Sequence, residues 1–563
     1  MTGIPLLGND LRARVGAWRA QDPDPQTRAE LDDLVARADA GDAQANAELT
    51  DRFATRLAFG TAGLRGELGA GSNRMNRVLV AQAAAGLAAY LRDHAAPGRM
   101  PTVVIGYDGR RNSDVFARDT AQLVAGAGLR AVLLPRMLPT PVLAFAVRHL
   151  DAGAGVMVTA SHNPPRDNGY KVYLGGADGG AQIVPPADAE IAADIARVAE
   201  TTTVDRLPRS DAFETASEEV IDAYVAAAVA AARAPAGAGG LRWVYTAMHG
   251  VGWETMARIA ASAGYPAPIP VAEQLHPDPA FPTVAFPNPE EPGAMDLAFR
   301  TASDAAADLV IANDPDADRL AVGIPDPRAA SGWRRLTGNE VGLLLGWRAA
   351  RRAAGTPGAT LASSLVSSPG LQVVAERYGL AHRTTLTGFK WISRVPGLVY
   401  GYEEALGYLV DPGAVRDKDG LSAAAAVLEL AAAARADGRT LADLLVEFAE
   451  TFGHFASDQV SVRVSDVSRI GAMMAALRAR PPARIGSQPV VAVDDLRDGA
   501  DGLAPADVLR LRLPDSARVI VRPSGTEPKL KVYLDVRGTS ADDARARLVD
   551  LAAGVHDLLA ALP

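Results

Sequence analysis

Val103-Val-Ile-Gly-Tyr-Asp-Gly-Arg-Arg-Asn-Ser-Asp-Val-Phe-Ala-Arg-Asp-Thr-Ala-Gln-Leu-Val-Ala-Gly-Ala-Gly-Leu-Arg-Ala-Val-Leu-Leu134 reads as one βαβ unit. An apolar strand (103–106) leads into a polar turn, Tyr107 to Asn112. A helical stretch stops at Gly128, and a second strand (130–134) comes after it. Gly and the polar cluster punctuate the change from period-2 to helical patterning. The pattern returns twice. Residues 243–247 are the second strand, Met248-His-Gly-Val-Gly252 its turn, Gly264 its helix stop and 267–271 the next strand. Residues 361–366, Ser367-Ser-Pro-Gly370, Gly379 and 381–386 repeat the order. Three such units predict three similar mixed α/β domains.

The last stretch is different. Strands at 460–464, 490–493, 508–513, 517–521 and 531–536 are joined by short turns, with helices at 470–478 and 540–559. That predicts a C-terminal α+β domain on a mostly antiparallel sheet. The chain to about residue 57 reads as amphipathic helix added to the first domain, and 233–240 as a surface loop before a strand. The expected domains are 1–206, 207–325, 326–450 and 451–563, arranged around a central cleft.

Composition sets outer limits. The chain has 563 residues, 48% of them apolar and 22% charged, enough for several buried cores and too apolar for disorder. A net charge of −9 with scattered signs argues against a nucleic-acid partner, but allows an anionic small substrate in a locally basic pocket. With no cysteine there is no disulfide, thiolate zinc site or thiol nucleophile. The longest apolar candidate, 78–91, is too short to span a bilayer, and residues 1–5 show no basic-then-apolar leader. A cytoplasmic protein without a membrane partner is expected.

Four segments carry chemistry. In Val156-Met-Val-Thr-Ala-Ser-His-Asn-Pro-Pro-Arg-Asp-Asn-Gly-Tyr-Lys-Val-Tyr173, a strand runs into a turn that exposes Ser161 and His162. Asn163 and the two prolines prevent a helix. A serine there, beside a base and near Lys171, suits a nucleophile or phosphoryl carrier, and equally a turn-capping serine. Asp314, Asp316 and Asp318 sit at alternate positions after the apolar run 309–312. Three adjacent carboxylates repel unless a cation lies among them, and oxygen-only donors suit Mg²⁺. An EF-hand is excluded, because Arg319 stands where it needs Gly and Pro325 where it needs Glu. A solvated acidic turn is the alternative, and the apolar strand before it makes that the weaker one.

Glu403 and Glu404, on a Gly-bounded turn after a strand at 397–400, can accept hydrogen bonds from sugar hydroxyls or simply favour a helix N-terminus. Arg522, Ser524, the Gly525 amide and Thr526, with Lys529 adding charge, form a candidate phosphate nest between two strands. A hydrophilic hairpin loop is the alternative. A carrier serine, a hard cation, a hydroxyl-reading carboxylate pair and a phosphate nest are together the parts of a phosphosugar phosphotransferase.

The motifs Thr159-Ala-Ser-His-Asn-Pro, Asp314-Pro-Asp-Ala-Asp-Arg319, Gly401-Tyr-Glu-Glu-Ala405 and Arg522-Pro-Ser-Gly-Thr-Glu-Pro-Lys529 occur in order. With Phe59-Gly-Thr-Ala-Gly-Leu-Arg-Gly66, they make the whole chain resemble the α-D-phosphohexomutase superfamily. The resemblance implies a phosphoserine at Ser161 and one Mg²⁺ held by Ser161, Asp314, Asp316 and Asp318. It implies Arg65 and Arg319 around the transferring phosphate, and Thr387 and Gly388 in a substrate-facing loop. Glu403 and Glu404 would serve the sugar, and Arg522, Ser524, Gly525, Thr526 and Lys529 the idle phosphate. His162, Lys171 and Lys390 are its acid/base or charge-stabilising candidates. It further implies interconversion of glucose 1-phosphate and glucose 6-phosphate through glucose 1,6-bisphosphate, by a monomer or homodimer. Pro315 and Ala405 depart from many relatives, which have Gly and Ser there. They point to the branch with phosphopentomutase and glucose 1,6-bisphosphate synthase activities, so mannose and pentose phosphates stay open. A non-catalytic sugar-phosphate sensor, a structural scaffold and a mutase with an aspartyl nucleophile are the competing classes.

Overall fold

The computed structural model describes residues 8–96, 98–464, 466, 468–524 and 529–562. Its contacts divide the chain into two compact units. Met1–Arg334 and Asp411–Glu429 make the first, and Arg335–Val410 and Leu430–Pro563 the second.

The first unit begins with helices Asn9–Gln21, Pro25–Asp39 and Ala43–Ala54. The last two start where sequence rules place them, on Asp24 and Asp42, whose side chains accept backbone N–H groups of the first turn. Leu31, Leu49, Trp18 and Phe53 of this region pack with Val78 and Leu79 of the helix Arg77–Asp93, so the N-terminal extension and that helix share one core.

The predicted first βαβ unit is present as Thr102–Tyr107, Ser113–Gly126 and Arg130–Leu133. Thr102–Tyr107 lies parallel to Arg130–Leu133 on one side and to Ala154–Val158 on the other. Asp167–Leu174 pairs antiparallel with Ala154–Val158, and Leu64–Glu67 antiparallel with Asp167–Leu174. Strand Ala154–Val158 is buried along its whole length, as the continuous apolar run requires. A second sheet places Leu309–Ala312 parallel to Trp243–Thr246 and antiparallel to Ala321–Pro325. The strand expected at 267–271 is only Ile269–Pro270, because Pro266 and Pro268 flank it and proline cannot donate to a ladder.

In the second unit, Thr360–Ser364 lies parallel to both Ala381–Thr385 and Leu398–Glu403. The C-terminal part is an antiparallel sheet in the order His454–Arg463, Lys529–Gly538, Arg518–Pro523, Leu509–Arg512, Ala492–Asp495. It is flanked by helices Ser468–Ala479 and Ala541–Ala560. Leu477, Leu511, Val519, Leu534 and Val555 form its core. Mixed α/β architecture with a distinct antiparallel C-terminal part is therefore observed. Among the described residues, no helix is long and apolar enough to cross a membrane.

Candidate functional site

The first unit places its polar residues at the carboxyl ends of parallel strands, where the chain leaves the sheet and side chains become free. Asp108 comes directly after Thr102–Tyr107, Ser161 shortly after Ala154–Val158, and Asp314 shortly after Leu309–Ala312. Ser161 and Ala317 have φ of 51° and 55°, a region that residues with a Cβ seldom occupy. At Ser161 the surroundings enforce it. The Ser161 N–H donates to Thr159 Oγ1 (2.8 Å), whose own hydroxyl donates to Asp108 Oδ2 (2.6 Å).

A buried guanidinium fixes the rest of the loop. Arg110 donates to the carbonyls of Ser161 (2.6 Å), Asn163 (2.6 Å), Pro164 (2.8 Å) and Asp167 (3.0 Å). Its side chain is 1% exposed, and the Asp108 carboxylate 3.5 Å away is 0% exposed. Removing one member of a buried pair leaves the other charge uncompensated, at a cost of about 3–5 kcal/mol. Arg110→Ala is therefore expected to lose roughly that much in urea unfolding, and to lose turnover in step as Ser161 drifts. A variant as stable and active as the wild type contradicts this account of the loop.

Ser161 Oγ donates to Asp314 Oδ2 at 2.7 Å and lies 3.2 Å from His162 Nδ1. Asp314 Oδ1 accepts the Arg319 N–H (3.0 Å). Asp316 Oδ2 accepts from Lys171 Nζ (2.8 Å) and Thr140 Oγ1 (2.7 Å). Asp318 Oδ2 accepts from Lys171 Nζ (3.0 Å) and lies 3.3 Å from Lys418 Nζ. Lys171 reaches them because its strand pairs with the serine's, Met157 opposite Lys171. Arg65, opposite Gly169 on the next strand, donates to Asn163 Oδ1 (3.1 Å).

The second oxygens of Asp316 and Asp318, both Oδ1, are buried without a hydrogen-bond partner. One oxygen from each of the three aspartates lies within 4.8 Å of the others. Orphaned, converging carboxylate oxygens are an all-oxygen donor set suited to a hard divalent cation. A side chain at Gly250 would come within 2.3 Å of the Pro315 backbone, and Val251 N–H donates to Pro315 O (2.9 Å). The turn read as Met248–Gly252 thus buttresses the carboxylate loop, and only Gly fits at 250.

Charge reflects this crowding. Burial, with Asp316 and Asp318 adding to it, pushes Asp314 well above the usual carboxylate range. Burial also opposes ionisation of Asp318, but Lys171, Lys418 and Arg319 outweigh it and hold that carboxyl low. Burial would lower Lys171, yet Asp316 and Asp318 keep its ammonium above the ordinary range. His162 lies well below its ordinary value through burial, then Arg319 and Arg65, so its imidazole is neutral.

In the second unit, the strand read as ending at Tyr400 continues through Glu403, so Glu403 is not on the turn. Glu403 ends the strand and Glu404 opens the turn 404–406, and the two carboxylates take different partners. Glu403 Oε1 accepts the Gly388 N–H (2.5 Å) and so fixes the Thr387–Gly388 loop before Lys390. Glu404 Oε2 turns inward to the hydroxyls of Ser364 and Ser367, both at 3.1 Å. Lys390 Nζ sits 5.8 Å over the Trp391 ring. Arg522 lies on strand Arg518–Pro523 opposite Lys531. Ser524 N–H donates to Lys529 O (2.8 Å). Gly525 and Thr526 lie outside the described residues.

Glu404 is pushed up to about 7 by burial and by Glu403. A carboxyl raised on folding holds more protons folded than unfolded between its two pKa values, so its stabilising contribution falls as pH rises from about 4.5 to about 7. The half-buried setting limits the effect to about 1 kcal/mol. Unfolding midpoints in urea should fall from pH 5 to pH 8 more steeply in the wild type than in Glu404→Gln. Parallel pH profiles would refute the assignment.

Arg110, Thr140 and Lys418 belong to this machinery and were not singled out from sequence. The Asp108-Gly-Arg110 turn at a strand end and the charge cluster Asp417-Lys-Asp419 before an apolar helix were the available signals.

Comparisons with known proteins agree with this geometry. Four family descriptions match in order: Phosphoglucomutase/phosphomannomutase, alpha/beta/alpha domain I at residues 56–202, domain II at 222–326, domain III at 337–452, and the C-terminal domain at 460–552. The chain is 54% identical over 485 residues to the probable phosphomannomutase of Haemophilus influenzae, covering 86% of this chain and 98% of that protein. It is 34% identical to the phosphoribomutase of Saccharomyces cerevisiae, covering 94% and 93%. A Phosphoglucomutase/phosphomannomutase family protein from Burkholderia thailandensis superposes with a TM-score of 0.67 at 21% identity, covering 90% of this chain and 99% of that one. A fold of this kind carrying these motifs defines an enzyme, a phosphosugar mutase of the isomerase class. The chain belongs to the α-D-phosphohexomutase superfamily.

Proposed function

We propose that this enzyme interconverts glucose 1-phosphate and glucose 6-phosphate, with Ser161 as the phosphoryl carrier. The observation that supports it most is the Ser161 hydroxyl hydrogen-bonded to a buried carboxylate at 2.7 Å, beside two carboxylate oxygens without partners. Asp314, Asp316, Asp318 and Ser161 would hold one Mg²⁺. Bound there, the ion offsets the negative charge of a phosphoryl group in transfer.

Phospho-Ser161 gives its phosphoryl group to O6 of the sugar: the Ser161 Oγ–P bond breaks, an O6–P bond forms, and the O6 hydroxyl proton ends on Ser161 Oγ. The bisphosphate reorients, and Ser161 takes back the phosphoryl group from O1. In that second transfer His162, neutral and 3.2 Å from Oγ, accepts the serine proton as the O1–P bond breaks, and the proton is returned to the departing O1. Lys171, Arg65 and Arg319 supply positive charge around the group in flight. In the second unit, Glu403 reads sugar hydroxyls from a strand end beside the loop it fixes, and Arg522, Ser524 and Lys529 grip the idle phosphate, with Gly525 and Thr526 as further donors. The domains at 1–206, 207–325, 326–450 and 451–563 would contribute, in turn, the serine, the metal loop, the sugar loop and the phosphate loop. Glucose 1,6-bisphosphate is then both intermediate and activator.

The relatives' names favour a second reading, mannose or ribose phosphate. Ala405 lacks a hydroxyl that could contact the sugar, and one hydrogen bond can redirect hexose preference. Coupled assays across glucose, mannose and ribose 1-phosphates, at equal activator, decide between them. The expected order puts glucose first in kcat/KM. A ribose or mannose value more than about tenfold above glucose overturns the substrate while leaving the carrier in place.

A further inference from the structure

Away from the serine and the carboxylates, Arg148 and Arg416 converge beside Gly179. A side chain at Gly179 would meet Arg148 Nη1 at 3.1 Å and Arg416 Nε and Cζ at 3.3 Å. Both arginines are half-buried. Arg148 donates Nη1 to the Gly179 carbonyl (2.6 Å). Arg416 Nε is buried with no hydrogen-bond partner. Among the described residues, neither arginine has an ion-pair partner. Asp411 acts on Arg148 only at longer range, and its Oδ1 is taken by the N–H groups of Gly413 (3.0 Å) and Ala414 (3.3 Å).

Other buried arginines of the unit do have carboxylate partners. The buried guanidinium of Arg52 has Glu30 and Glu48 at 2.7 Å, and Arg77 has Asp119 at 2.7 Å. Two half-buried cations brought together without an anion repel each other, and a planar fork from each side is what a tetrahedral oxyanion takes. The pair is also held in place. Arg416 lies between buried Val415 and Asp417, and Asp417 Oδ2 accepts from Tyr173 (2.8 Å) and Gln182 (2.7 Å). Two residues beyond Arg416 is Lys418, on Asp318.

We propose that Arg148 and Arg416 form a second oxyanion site, taking inorganic phosphate or a phosphate monoester, distinct from the serine and carboxylate site. Occupation neutralises the pair and braces the loop that carries Lys418.

Equilibrium dialysis of the full chain with radiolabelled inorganic phosphate tests this. Arg416→Gln removes a side chain with no hydrogen bond in the structure, so the fold is kept, as its melting curve should verify. The wild type is expected to bind one phosphate more than Arg416→Gln, or that phosphate at least tenfold more tightly. Arg416→Lys should restore part of the binding, and Arg522→Ala should leave this phosphate in place. Equal number and affinity in wild type and Arg416→Gln overturn the proposal. Displacement by ribose 5-phosphate at tenfold lower concentration than by sulfate identifies a phosphorylated metabolite as the occupant. Equal displacement identifies the free anion.

Discussion

Ser161→Ala is expected to lower turnover by about 10⁴-fold or more, because the variant has no oxygen to carry the phosphoryl group. Little else should change. The serine is buried, the substitution removes one atom, and the loop is held by Arg110 through backbone carbonyls that alanine retains. Melting temperature should stay near that of the wild type. Peptide mapping of the isolated wild-type enzyme should find phosphate on Ser161. The informative failure is specific: Asp314 lies 2.7 Å from the same oxygen. Phosphate on Asp314, with activity preserved in Ser161→Ala, would make an aspartate the carrier and the serine its hydrogen-bond donor.

The second large effect is expected at the carboxylates. Asp316→Asn removes a negative charge and changes an oxygen that has no partner in the protein. Activity should fall roughly 10²–10³-fold, and the Mg²⁺ concentration for half-maximal rate should rise. Dialysis against EDTA should silence the wild type, and added Mg²⁺ should restore it. Full activity after exhaustive chelation would show that Lys171 and Lys418 alone balance the three carboxylates. Lys171→Ala separates these cases further. It strips Asp316 and Asp318 of their shared ammonium, so metal binding should tighten while the rate falls.

Features set by neighbours in the chain were legible in the sequence, and features set by distant partners were not. The βαβ units could be read because Gly106, Gly128 and the apolar runs around them act locally, and the Asp loop because three like charges at alternate positions have few bland uses. Arg110 was not legible. It looks like a surface arginine in a polar turn, and its partners are carbonyls of residues 161–167. Thr140 sits at a helix start, where threonine is common, yet its hydroxyl serves Asp316. Glu403 and Glu404 looked equivalent because the strand seemed to stop at Tyr400. The strand runs to Glu403, whose carboxylate takes the Gly388 amide, while Glu404 opens the turn and takes Ser364 and Ser367, partners distant in the chain.

The segment Asp411–Glu429 belongs to the first unit, although a long run of second-unit sequence precedes it. Its Asp417 and Asp419 accept the hydroxyls of Tyr173 and Tyr224, and its Lys418 lies on Asp318. A ribosome making about 5–20 residues per second therefore exposes the carboxylate loop several seconds before the lysine that completes its charge balance. Until then Tyr173, Tyr224 and Asp318 are made but their partners Asp417, Asp419 and Lys418 are not. The order of synthesis sets a waiting period before that charge balance is complete. A gene cut after residue 334 would make that waiting state permanent.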